Sequence, residues 1–328
     1  MAFEFRTEIF PQESTHKISL ESKIFTIGSC FSSVFGEFFQ NMRLNCISNP
    51  FGTLFNPLSM SKLIRDSLSN TELNQDLFCE RDGLYFHYDL HSCINSKSKT
   101  ELQDKFENKK KAASVFLSQA DFLIITFGSA MAYQLTETGQ NVANCHKKPA
   151  IFFSKKLLST EEVLEEYVQL LEELKKLNPK LKIILTVSPV RHLKETLEIN
   201  SVSKSILRLV AHLLTSKFEN IHYFPSYEIM NDDLRDYRFF KSDLLHPSEM
   251  AEDYIIDKFK TIFFDKNLQD FSNKWKKLKA SLNHKVMNEG SEQHRIFLEN
   301  LLKELKSISY DVNFSKEIND IETKLLSF

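Results

Sequence analysis

The apolar run from Lys23 to Ile27 stops at Gly28. Three residues later an amphipathic pattern begins, carried by Phe31, Val34, Phe35, Phe38 and Phe39. A change of hydrophobic period from 2 to 3.6 across so short a gap predicts a strand, a tight turn and a helix. The turn holds Gly28-Ser29-Cys30, so a hydroxyl and a thiol lie where the N–H groups of a helix start favour negative charge. A nucleophile placed there would be exposed and electrostatically assisted; a buried, inert cysteine in an ordinary β-to-α turn fits the same residues.

The same handover recurs along the chain. Apolar runs at 44–48, 121–127, 181–187 and 221–224 alternate with helical patterns near 58–69, 101–118, 160–177, 200–217 and 248–264. The alternation predicts an α/β fold: a doubly wound, mostly parallel five-stranded sheet in an α/β/α sandwich, with a C-terminal helical extension. Residues 1–20 read as an extended arm broken at Pro11, 70–100 as a connection with short β-like pieces, and 134–158 as irregular. Residues 1–264 are assigned to the α/β domain. Residues 265–328 are assigned to the extension, which is rich in Lys and Glu. Its apolar stripe of Ile296, Phe297, Leu301, Leu302, Leu305 and Ile308 should pack on the body or on a partner.

Charge and cysteine usage narrow the function. A net charge of −2 provides no basic footprint for nucleic acid. Neither G-x-G-x-x-G nor a phosphate-binding loop is present, which disfavours nucleotides, and no cofactor is implied. The cysteines 30, 46, 79, 93 and 145 are odd in number and lack a C-x-x-C pair, which points to free thiols in a reducing compartment and to no metal. No run reaches membrane-spanning length, and the start lacks the apolar core of a leader, so the expected location is cytoplasmic.

In a doubly wound sheet ligands bind outside the carboxyl ends of the strands, and the chemically distinctive residues collect there. Gly28-Ser29-Cys30 follows the first strand and Gly52 the second; Gly128-Ser129 follows the third, and Ser188, Arg191 and His192 the fourth. The loop after the fifth leads to Asp243 and His246. Three residues apart before a helix start, Asp243 could orient His246 as a base; a turn cap beside a surface histidine is the plainer alternative. Arg191 and His192 could hold an anionic or sugar hydroxyl group, or Arg191 could pair with a loop carboxylate. Cys145-His146-Lys147 and His91-Ser92 read as loop residues or as substrate contacts, with no zinc spacing.

Taken in order, Gly28-Ser29-Cys30-Phe31-Ser32, Asn49-Pro50-Phe51-Gly52, Thr126-Phe127-Gly128-Ser129-Ala130, Cys145-His146-Lys147, Ser188-Pro189-Val190-Arg191-His192 and Asp243-Leu244-Leu245-His246-Pro247 resemble the GSCFA-domain family, which looks like a branch of the SGNH (GDSL-type) hydrolases. The resemblance runs from about Phe25 to residue 260 and implies an SGNH/flavodoxin-like sandwich. It places Cys30 on the nucleophile, His246 on the base and Asp243 on its orienter. Ser29, Gly52, Ser129, His146, Arg191 and His192 then fall among oxyanion or substrate contacts. Two positions depart from the SGNH pattern: a cysteine holds the nucleophile slot, and Ala130 holds the slot of an oxyanion-donating asparagine. The implied activity is that of an esterase or acyltransferase on a small acyl ester, a carbohydrate ester among the options. A ligand-binding protein without turnover, and an enzyme using Ser29, are the alternatives. At the helix start the Cys30 thiolate should be favoured, with burial against Phe31 and Phe35 acting the other way.

Overall fold

The computed structural model describes residues 7–69, 71–284, 288–308, 310, 312–326 and 328; the first six residues of the expected arm lie outside these. Five strands, β1 (Lys23–Gly28), β2 (Asn45–Ser48), β5 (Phe122–Phe127), β9 (Lys182–Val187) and β10 (Ile221–Phe224), form one sheet in the order β10-β9-β5-β1-β2. Every pairing is parallel, with Gly28 opposite Thr126 and Thr126 opposite Thr186. The order reverses between β1 and β5, so the switch point of the sheet lies between the turns that carry Cys30 and Ser129.

Side chains alternate across this sheet with the period of 2 that a pleated strand imposes. Phe25, Ile27, Leu123, Ile125, Ile183 and Leu185 face one core, which they share with α2 (Pro57–Leu68), α3 (Lys99–Leu117), α4 (Thr160–Leu177) and α5 (Leu197–Lys217). Ile24, Phe122, Ile124, Ile184 and Phe224 face the other, shared with α1 (Cys30–Asn41) and α7 (Glu249–Phe263). Much of the phenylalanine content resides on this second face, where the Phe259 ring lies 4.9 Å from Phe35 and 5.1 Å from Phe224. The helices begin where polar caps permit: Ser29, Asn56, Ser98, Thr196 and Ser248 each accept a first-turn N–H, and Ser159 forms a capping box with Glu162. After β10 a single helical turn, α6 (Ser226–Glu228), continues into a π turn over Ile229–Asp233.

The C-terminal helices α8 (Lys266–Leu282), α9 (Glu292–Lys306) and α10 (Ser315–Leu325) join the second core through Leu268, Phe271, Trp275, Leu298, Leu301, Leu305 and Ile321. Trp275 donates its indole N–H to the Asn41 carbonyl at the end of α1, 2.7 Å away. Ile296, expected in the apolar stripe, stays 47% exposed and Leu298 is buried in its place.

One stretch fills out the sequence reading, with its short β-like pieces paired, and another differs from it. Within 70–100, β3 (Phe78–Arg81) and β4 (Leu84–His87) form a hairpin around Asp82-Gly83, both with positive φ. The segment read as irregular, 134–158, instead contributes to an antiparallel sheet of β6 (Met131–Leu135), β7 (Asn141–Val142) and β8 (Phe153–Leu157), ordered β7-β6-β8. Residues 154–156 of β8 are all exposed, so the strand carries no alternation for a pattern to reveal.

Candidate active site

The turn after β1 is fixed before any chemistry is considered. Gly28 has φ +147°, and a Cβ there would lie 2.3 Å from the Thr126 carbonyl oxygen. Asn49 accepts the Gly28 N–H at 2.9 Å, and the Gly28 carbonyl accepts from Leu54. Ser29 donates its N–H to Thr126 and turns its hydroxyl inward, where it accepts from the Phe31 N–H. Ser29 is fully buried, 0% exposed, so its oxygen is a helix cap rather than a group presented to a substrate.

Cys30 is the first residue of α1 and is only part-buried. Burial pushes its thiol up from the ordinary 9.0; Lys204, the N–H groups of Phe31 and of Cys30 itself, and Lys241 pull it down without cancelling that effect. The expected dominance of the helix start is therefore corrected: removing part of the thiol from water outweighs the partial charges of two N–H groups.

Asp243 and His246 form a unit. Asp243 Oδ1 accepts the N–H groups of Leu245 and His246, at 2.9 and 3.0 Å, while Oδ2 lies 2.7 Å from His246 Nδ1. These bonds hold the Asp243 carboxyl down at about 2. Since a carboxylate only accepts, Nδ1 is the donor, and in the neutral ring Nε2 keeps its lone pair. Both side chains are open to solvent, 41% for His246 and 44% for Asp243. The turn is closed by bonds from Lys241 N–H to the His246 carbonyl and from Ser248 N–H to that of Phe239. Arg191 clamps it from the loop after β9, donating its N–H to the Leu245 carbonyl and stacking its guanidinium 4.1 Å from the Phe240 ring centre. Arg191 thus supports the turn by a cation–π contact, in place of the carboxylate pair considered from sequence.

The remaining candidates are engaged elsewhere. Gly52 closes its own turn by donating its N–H to Asn49, and its φ of +77° and contact with His91 exclude a side chain. Gly128 and Ser129 both donate their N–H groups to Phe55, the Ser129 hydroxyl pairs with that of Ser203, and Ala130 N–H donates to Ser203 as well. His146 is buried, with Nε2 2.8 Å from the His87 carbonyl and Nδ1 2.9 Å from Ser92 Oγ; burial first, then nearby charges, lower its pKa to about 4. His192 donates its N–H to Asn200, and its Nε2 is buried with no partner. Burial, Lys204 and His246 together lower the His192 pKa to about 3. Ser129, His146 and His192 border a cavity of about 820 Å3 together with Phe55, Tyr133 and Lys194. Among the described residues no three His, Cys, Asp or Glu side chains gather closely enough to hold a metal ion.

Sequence reasoning missed Lys204. It is 1% exposed, and its Nζ donates at 2.7 Å to the carbonyls of Gly128 and Ser188, the first residues beyond β5 and β9. Burial brings its pKa down to about 7, against an upward pull from Cys30. The available signal was a lysine three residues before Leu207 and seven before Ala211, inside the buried stripe of α5.

Fold and rim together define a doubly wound α/β protein with a thiol and a carboxylate-held histidine beyond the carboxyl ends of its strands. The chain belongs to the GSCFA family: residues 23–259 match the GSCFA family and 275–327 match the GSCFA domain protein, C-terminal domain. No curated protein matches it. Among solved structures it is similar to a Bacteroides fragilis protein provisionally described as an acylhydrolase, at 12% identity and TM-score 0.40 over 81% of this chain and 91% of that one. A Talaromyces cellulolyticus protein of carbohydrate esterase family 3 is 9% identical, with TM-score 0.34 over 77% and 99%. A Streptococcus pneumonia protein provisionally described as a platelet activating factor is 10% identical, with TM-score 0.39 over 74% and 83%. At these values the likenesses carry no inference about chemistry. No helix among the described residues is long and apolar enough to cross a membrane.

Proposed function

We propose that the protein is an esterase or acyltransferase of small acyl esters in which Cys30 is the nucleophile, His246 the base and Asp243 its orienter. The observation that carries this reading is the Asp243–His246 contact of 2.7 Å. It fixes one ring nitrogen and leaves the other with a lone pair, as a general base requires. The choice of Cys30 over Ser29 is supported by the burial of Ser29 as a cap. The cavity beside Ser129 and His192 suits the body of the substrate, and the unpartnered His192 Nε2 suits a hydroxyl on it, as on a carbohydrate. The helix start at Cys30 is the natural place for the negative charge of the tetrahedral intermediate.

The test is a panel of acyl esters offered to the intact protein and to Cys30→Ala and His246→Ala. Turnover by the intact protein that disappears in both variants is the expected result. Turnover retained in both would overturn the assignment.

A further inference from the structure

The loop Cys145-His146-Lys147 has no part in the chemistry proposed above, yet it is held in a conformation that needs a cause. His146 and Lys147 have φ of 49° and 57°, two successive residues in the left-handed region, where a Cβ crowds the following carbonyl. Hydrogen bonds pin them there. His146 N–H donates to Asn144 Oδ1 at 2.8 Å, Arg81 donates to the His146 carbonyl at 2.6 Å, and Lys148 N–H closes the turn on the Cys145 carbonyl. Strain secured by its surroundings marks segments that carry function. What this loop brings to the cavity of about 820 Å3 is a pair of cations, Lys147 and Lys148.

Two other elements repeat the charge. Lys155 of β8 and Lys194 of the loop after β9 also border the cavity, with ammonium groups 5.9 and 4.6 Å from the Tyr133 ring centre. Glu195 is the one carboxylate among the described residues that border it, and it is already engaged. It lies 3.1 Å from Lys155 Nζ and accepts the Tyr133 hydroxyl at 3.2 Å. Lys148 donates to the Glu80 carbonyl, a neutral acceptor, at 2.7 Å. Lys147 and Lys194 form no ion pair among the described residues. The bordering histidines add no charge near pH 7, since burial holds His146 at about 4 and His192 at about 3. Four lysines against one glutamate leave three positive charges around the cavity, in a chain whose net charge is −2. A cleft lined by one sign of charge concentrates ligands of the other.

We propose that the substrate carries an anionic group, a carboxylate or a phosphate, which Lys147, Lys148 and Lys194 hold while the ester lies towards Cys30. The inference rests on the reading of this cavity as the seat of the substrate. The cavity adjoins the Cys30 turn through Ser129: Gly128, just before it, would carry a Cβ 3.1 Å from Ser29 Cβ. Anion and acyl group therefore belong to one molecule held at two ends. Lysines are compact point charges without the planar fork of arginine, so they select charge rather than the shape of the anion. An acidic sugar and a sugar phosphate share that chemistry.

The experiment measures binding of glucose, glucuronate and glucose-6-phosphate by isothermal titration calorimetry, to the intact protein and to the Lys147→Gln/Lys194→Gln double variant. At least one of the two anions should bind ~10-fold or more tightly than glucose, as hydrogen bonds to a charged group allow. Which of them does so identifies the anion. The double variant should lose most of that advantage, while Lys276→Gln, on the exposed face of α8, should leave it unchanged. Added sodium chloride should also reduce it in the intact protein, with no substitution to disturb the loop. Anions that bind no better than glucose, or do not bind, would overturn the proposal. So would an advantage that survives the loss of both lysines or is indifferent to salt. None of these readouts uses turnover, so a failed ester screen leaves the binding result standing, and equal binding of charged and neutral sugars leaves Cys30 and His246 in their roles.

Discussion

The loop at residues 144–147 and the turn at residues 243–246 each present a histidine beside a residue of positive φ, His146 itself at 49° and Leu244 at 59°. The first loop folds its ring into the molecule, and both ring nitrogens find partners in His87 and Ser92. The second leaves its ring at the surface with one nitrogen held by Asp243. Ser29 and Cys30 repeat the contrast within one turn, the hydroxyl fully buried as a helix cap and the thiol only part-buried. What separates a structural group from a chemical one here is whether its polar atoms are already bonded, which residue type alone does not tell.

The comparison can be broken most directly at the exposed turn. Asp243→Asn and His246→Ala should each lower any measured turnover by roughly 10³–10⁴-fold, with the double change costing little more than either alone. Melting temperatures should barely move. Steady-state kinetics of the three variants check this, and additive losses would mean that the two residues serve separate roles.

At the buried loop the effect should be on stability instead. His146→Ala removes two hydrogen bonds and leaves a void, and should cost about 2 to 4 kcal/mol in urea unfolding. After correction for the folded fraction its kcat should match that of the intact protein. A selective loss of kcat would move His146 into the chemistry.

Acid should divide the two sites again. The His146 pKa falls from 6.5 to about 4 on folding. Between those values the unfolded chain binds a proton that the folded chain does not, so stability falls as pH falls from 6.5 towards 4. The loss for His146 is up to about 2 kcal/mol at pH 5. The Asp243 carboxyl has the same sign in a lower window: its pKa is lowered from 3.8 to about 2, so its contribution is complete above 3.8 and is lost as pH falls from there through about 2. Denaturant melts at pH 7, 6 and 5 should show the first effect, and His146→Gln should reduce it by the share of His146, leaving that of His192.

The smallest effect belongs to the helix cap. Ser29→Ala should cost about 1 kcal/mol, the usual value of a lost N-cap, while leaving kcat nearly intact, whereas Cys30→Ala should abolish turnover. Full turnover in Cys30→Ala with none in Ser29→Ala would reverse the two roles.

The sequence by itself determined the main sheet, because five mostly apolar runs of strand length alternate with helical patterns, and two-faced burial leaves only a single threonine inside each of β1, β5 and β9. It also determined the Asp243–His246 pair, whose contact spans three residues and depends on one local turn. The β6–β8 sheet was not legible, since β8 lies mostly in solvent and lacks a period. Lys204 was not legible as a site residue for a different reason. Its partners, the carbonyls of Gly128 and Ser188, lie 76 and 16 positions away in the chain, and what joins them is the seating of α5 against the ends of β5 and β9. The sign of the Cys30 shift likewise rests on tertiary packing: the helix start is written in local sequence, but the amount of water removed from the thiol depends on every element that closes over the rim.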